Sequence, residues 1–208
     1  MSQFSDTRYR PRKIPTQDRA NFTFDTILDA AAQVLLNDGY ENASTNKIAE
    51  RAGVSIGSLY EYFPSKEAVF CALRLRCSEI EFNHVTTELQ NARDIPIREL
   101  MRLLIKKGIE AILLHPEITC ALQSEVPAHI LKEKSSDLFA DFLKASMEYT
   151  AQQNDQLRKQ DLDMAMWVGA HVPALLIGHT LVEAPERLTS QAFADELYDL
   201  MSRYFLED

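Results

Sequence analysis

The sequence predicts an all-α fold, and three observations carry that expectation. Apolar residues recur at three and four residues along most of the chain. Hydroxyl side chains stand where helices should begin, and Gly or Pro where they should end. Strand pairs find no support, because no two alternating runs flank a hairpin signal. With 208 residues and 46% hydrophobic content the chain can fill one large or two small cores.

Phe24, Ile27, Leu28, Ala31, Val34 and Leu35 line one face of a first helix that ends at Asp38-Gly39. A short second helix starts at Ser44 or Thr45, where a hydroxyl can accept from unpaired first-turn amides, and stops at Ala52-Gly53. Ser55 caps a third helix over Ile56 to Phe63, with Leu59 and Phe63 pointing inward one turn apart. Ser65 opens a fourth that continues through Ala68, Val69, Ala72, Leu73 and Leu75 toward His84. Pro96 sits near the start of a fifth helix reaching Leu114, and His115-Pro116 breaks it. Pro127 and Pro185 divide the remainder into helices near 117–125, 128–153, 161–183 and 190–206, about nine in all.

Composition excludes several classes. No run of Ser, Gln or Pro marks a low-complexity tail, and no apolar stretch follows the basic residues of MSQFSDTRYRPRK as in a secretory signal. Cys71, Cys77 and Cys120 form no CxxC and are odd in number, which points to a reducing compartment and a cytoplasmic protein. Met164 to Val182 runs 19 residues without a formal charge, near the length that spans a bilayer. It carries His171, His179, Gly169 and Pro173 and is the one such stretch, so the reading is a buried helix inside an oligomer and no membrane partner. His171 and His179 lie about 12 Å apart along a straight helix and cannot share a metal. No other His/Cys spacing or carboxylate pair calls for a metal, a cofactor or an enzyme.

The chemistry concentrates in residues 45 to 63. Two short helices flank a tight turn at Gly53-Val54-Ser55, where Gly53 supplies a positive φ and Ala49, Val54 and Leu59 let the helices cross closely. That is a helix-turn-helix, and its outer face reads Ile56, Gly57, Ser58, Tyr60, Glu61 and Tyr62. Gly53 and Gly57 do not form a phosphate loop, since no strand precedes them and the GK[ST] ending is absent.

TNKIAERAGVSIGSLYEYFPSKEAVF, together with ILDAAAQVLLNDGYENAST before it, resembles the DNA-binding domain of the tetracycline-repressor (TetR) family of bacterial transcription regulators. The likeness is close over residues 24 to about 70 and beyond that holds only in helix order and length. It implies an N-terminal arm and helix-turn-helix domain over residues 1–66. Residues 67–208 would then form a helical effector-binding and dimerisation domain. It implies a homodimer on a palindromic DNA operator, a repressor that a small-molecule effector releases. Thr45, Tyr60 and Tyr62 would give hydroxyls to phosphates and Lys66 would add charge, contacts that fix register without choosing sequence. Ser55, Ile56, Gly57 and Ser58 would face the major groove, Ile56 against a thymine methyl and Ser58 at a base edge. Glu61 either accepts from a cytosine amino group or faces solvent. The alternative output is a nucleoid-associated or cell-division factor that acts from DNA through a protein partner.

A net charge of -9 sits uneasily with a polyanion partner, and position resolves the conflict. Arg8, Arg10, Arg12, Lys13 and Arg19 outnumber Asp6 and Asp18 in the first twenty residues. Through Lys66 the chain holds 8 basic and 8 acidic residues, and the 14 basic and 23 acidic residues after it carry the whole excess. Repulsion beyond about 8 Å is largely screened at physiological salt. RYRPRK at 8–13 follows phosphates or enters the minor groove, or else is a solvated disordered arm.

Residues 161–183 and a last helix bearing Phe193, Leu197, Leu200, Met201 and Tyr204 read as the dimer contact. Pro173 cannot bond back to Gly169, and glycine there eases the expected kink, an irregularity that by resemblance borders the ligand pocket. His84, Met101, Cys120, Phe139, Trp167 and His171 are candidates to line it, mixing apolar walls with polar handles.

Overall fold

The computed structural model describes residues 7–13, 15–92, 95–151, 157–158 and 161–207. Among these are ten α-helices, and the extended pairing is confined to one bridge between Leu157 and Leu206. In order they are α1 (Asp18–Asn42), α2 (Thr45–Ala52), α3 (Ile56–Tyr62), α4 (Lys66–Asn91), α5 (Ile97–Ile112), α6 (Pro116–Leu122), α7 (Ala128–Ala151), α8 (Leu162–Glu183), α9 (Pro185–Leu188) and α10 (Gln191–Phe205). The chain forms two compact units, one of residues 1–78 with 117–135, the other of 79–116 with 136–208. It therefore changes unit within α4, at the α5–α6 junction and within α7.

In the first unit, Ile27, Leu28, Ala31 and Leu35 of α1 close over Ile48 of α2, Leu59 of α3, and Val69, Phe70 and Leu73 of α4. Leu122 of α6 and Ile130 of α7 complete the core. The break expected at Gly39 is present as a residue at φ 75° and ψ 165°, after which one more turn runs to Asn42. That turn places the Tyr40 ring 5.2 Å from Phe70 and the Lys66 ammonium 4.3 Å above it. Burial, then Glu67 and Glu125, pushes the Tyr40 phenol up to about 12. The sign follows directly. Below pH 10 both states keep the proton, whereas between pH 10 and about 12 the unfolded chain ionises first and stability falls. Tyr40→Phe should flatten this part of an alkaline denaturation curve while leaving the neutral baseline in place.

In the second unit, Ile97, Leu100, Ile105 and Ile109 of α5 pack with Ala165, Met166, Ile177 and Leu181 of α8 and with Leu197, Met201 and Phe205 of α10. Residues 157–158 close the carboxyl end of α10: Arg158 donates from its amide to Phe205 O at 2.9 Å and from Nη1 to Arg203 O at 2.7 Å. A cation there meets the negative end of the helix dipole.

The structure departs from the sequence reading at two places on this unit. Pro185 opens a helix of its own, α9, since a proline at the first helical position loses no hydrogen bond. α8 continues through Pro173 as one helix, and the role of Gly169 is proximity, because a Cβ there would overlap the Phe205 ring. α8 is long and apolar enough to cross a membrane by length and composition, and 28% of its apolar window is buried within the protomer.

Candidate nucleic-acid interface

α2 is held at both ends by local chemistry. Ser44 is extended at φ -144° and ψ 156°, and its hydroxyl accepts from the Lys47 amide at 3.3 Å. At the other end Gly53 takes φ 66° and ψ 26°, the left-handed region that glycine enters without penalty. Its amide reaches Glu50 O at 3.1 Å and that of Val54 reaches Ala49 O at 3.0 Å, the paired bonds of a Schellman turn. The turn leads straight into Ser55, whose hydroxyl accepts from the Ser58 amide at 2.9 Å and starts α3.

α3 buries Leu59 completely and leaves Ile56 and Tyr60 each 39% exposed, with Ser55 and Gly57 also on the outer side and Ser58 half-buried. A Cβ at Gly57 would meet only Ser55 Oγ, at an ordinary 3.7 Å. Nothing inside the chain demands a glycine there, so the missing side chain matters only to whatever approaches from outside. Two hydroxyl pairs mark this face. Ser55 and Ser58 meet at 2.8 Å, and Thr45 of α2 meets the Tyr60 phenol at 3.1 Å. Within each pair one O–H is donated to the other oxygen, which leaves the second proton for an external acceptor.

Two residues read from sequence as phosphate contacts have partners inside the chain. Tyr62 is 8% exposed, its ring edge-on to Phe24 at 6.0 Å. The reason is helical phase: three residues after Leu59 and one before Phe63, it falls on the inward flank of a seven-residue helix. Lys66 is half-buried and donates to Tyr40 O at 2.9 Å, so its charge closes the kinked end of α1. Glu61 is exposed, which both of its readings require.

The basic segment also differs from a loose arm. Thr7–Tyr9 forms a 3-10 turn, and Tyr9 packs on the first core. Arg12 donates from its amide to Tyr62 O at 2.7 Å and from Nη1 to Tyr60 O at 3.3 Å.

The six pocket candidates do not converge. Phe139, His171 and Trp167 form a ring cluster: Phe139 meets His171 edge-on at 4.5 Å, Trp167 lies tilted on His171 at 4.0 Å, and Phe82 meets Phe139 edge-on at 6.4 Å. His171 Nδ1 lies 2.8 Å from Trp167 O, and Trp167 is 49% exposed. His84 instead faces Glu110 at 3.6 Å, an ion pair only when the imidazole is protonated. Lys107 bonds Glu110 and holds its carboxyl below the usual range, while Glu110 and Glu88 hold Lys107 up. Met101 packs in the second core, and Cys120 belongs to the first unit, where burial and then Glu117 raise its thiol.

Residues 27–73 match the model of bacterial regulatory proteins of the tetR family, and residues 96–205 match that of the tetracyclin repressor-like C-terminal domain. The chain belongs to the TetR family. The A-factor receptor protein of Streptomyces griseus is 42% identical over 79 residues, 38% of this chain and 29% of that protein. The transcriptional repressor KstR of Rhodococcus jostii is 32% identical over 96 residues, 46% and 43% of the two chains. These local matches span less than half of either relative. The transcriptional regulator EthR of Mycobacterium tuberculosis is 29% identical over 199 residues, 94% of this chain and 85% of its own length. The fatty acid degradation regulator FadR of Bacillus halodurans shares the fold at a TM-score of 0.63 and 20% identity, covering 90% of this chain and 96% of its own.

Sequence reasoning on this TetR chain missed the partners that fix its outer face. Lys47, exposed on the first turn of α2, is tied to Asp38 at 2.7 Å; in the second unit sequence reasoning also missed Phe82, edge-on to Phe139. Phe82 had little signal, standing on α4 between Glu81 and Asn83. Lys47 had none, for its carboxylate partner is nine residues back across the Gly39 break.

Proposed function

We propose that the chain is a sequence-specific DNA-binding transcriptional repressor of the cytoplasm that sits as a homodimer on a palindromic operator and leaves it when a small molecule binds. The observation that carries this reading is the outer face of α2 and α3, where a fixed turn presents two hydroxyl pairs around an uncovered Gly57. The Thr45 and Tyr60 hydroxyls hold a phosphate, while Ser55, Ile56, Gly57 and Ser58 meet base edges in the major groove. Tyr62 and Lys66 serve this face from behind, by packing. Twofold pairing would set two such faces on half-sites about one helical turn apart. The effector acts on the second unit, and the ring cluster of Phe139, His171 and Trp167 is the part of it suited to an apolar molecule.

The test is binding of purified protein to a palindrome from its own promoter against random duplex at moderate salt. Preference of at least about 10³-fold is expected, the lower range for specific recognition, and equal affinity would end the proposal. Tyr60→Phe should weaken all duplexes alike and Ser58→Ala should change which is preferred; a uniform loss for both undoes the assignment of roles. Genome-wide occupancy at many scattered sites, unmoved by metabolite extract, would favour an architectural role through a protein partner.

A further inference from the structure

The basic segment before α1 is tied to the far end of the reading helix, and the ties are specific. A helix leaves its last carbonyls without partners inside itself, and in seven residues that is most of the element. Arg12 takes up two of them. Its amide donates to Tyr62 O at 2.7 Å and its guanidinium to Tyr60 O at 3.3 Å, contacts that reach 50 and 48 residues along the chain. Four residues earlier the segment is anchored again, since the Ser65 hydroxyl donates to Arg8 O at 2.7 Å while accepting from the Ala68 amide at 3.1 Å. Tyr60 is thereby held at both ends, its carbonyl by Arg12 and its phenol by Thr45 at 3.1 Å.

We propose that Arg12 is a positioning residue for DNA reading: it closes the carboxyl end of α3 and so fixes where the Tyr60 phenol and the outer face point. This rests on the DNA-binding proposal above and assigns the basic segment a task other than contact with phosphates. A helix this short is marginal unless its neighbours hold it. The last turn, bearing Tyr60, would otherwise sample open states, and binding would have to close them first. A cation on that turn also meets the negative end of the helix dipole.

The experiment compares Arg12→Gln with Lys13→Gln. Both positions are exposed and both changes remove one positive charge, but only the first removes the guanidinium bond to α3. Affinity for the selected duplex is measured across a salt series, and amide hydrogen exchange at Phe63, whose amide donates to Leu59 O at 2.9 Å, is followed without DNA. The expected result is about tenfold weaker binding and about tenfold faster Phe63 exchange for Arg12→Gln, with an unchanged salt slope. Lys13→Gln should leave Phe63 exchange at the parental rate. Equal losses in both variants, with slopes shallower by about 0.9 each, would mean that the segment works by phosphate contact and would overturn the proposal. Unchanged Phe63 exchange in Arg12→Gln would overturn it as well. Should the parental protein show no duplex preference while Arg12→Gln still speeds exchange, bracing of α3 stands and the DNA reading falls.

Discussion

Replacing Leu175 and Leu200 together by glutamate should split the homodimer into folded monomers and lower operator affinity by at least about 10³-fold, toward the non-specific level. Leu175 is 69% and Leu200 50% exposed on the protomer, in company with Met164, Trp167 and Val182 on α8. Apolar side chains massed on one helix of a soluble regulator are the mark of a covered surface. In a twofold contact each substitution appears twice, so the pair sets four carboxylates against an apolar partner, and an unpaired charge left in such a place costs several kcal/mol. Leu197 and Met201, which hold α10 to its own core, are untouched, so helicity and the thermal transition of the second unit should persist. Sedimentation at half the parental mass with weakened binding is the expected outcome. A dimer that survives both changes would place the contact elsewhere.

Phe63→Ala should cost about 3–5 kcal/mol of stability, a large part of what a domain of this size possesses. Phe63 is fully buried, lies 4.8 Å from the Phe24 ring, and closes α3 by donating its amide to Leu59 O. Alanine keeps the backbone bond and removes the ring, leaving a cavity beside Phe24 of α1. Urea denaturation is the measure, and a loss below about 1 kcal/mol would show that the ring is not the keystone its burial indicates.

Much of the reading head was legible because its signals are local. Ser44, Gly53, Ser55 and Ser65 each act within four residues of themselves, and all four stand at the helix ends where their chemistry put them. What local pattern did not show depends on phase or on distance along the chain. Tyr62 lies one helical step from the outer face, and in so short a helix that step decides between solvent and the Phe24 ring. The ties of Arg12 to α3 cross about 50 residues, the kind of pairing that no local pattern encodes. The pocket candidates failed to converge for the same reason. Trp167 meets His171 within one turn of α8, but Phe139 reaches His171 from α7, and Cys120 belongs to the other unit. Gly169 was singled out correctly as special, but its cause lay in Phe205, 36 residues downstream.

That bare position on α8 has a mechanical meaning. With no side chain on Gly169, the backbone of α8 meets the Phe205 ring of α10 directly, and the approach of the two helices there rests on that one ring. Any side chain added at position 169 should therefore force α8 and α10 apart or turn the ring out of its place.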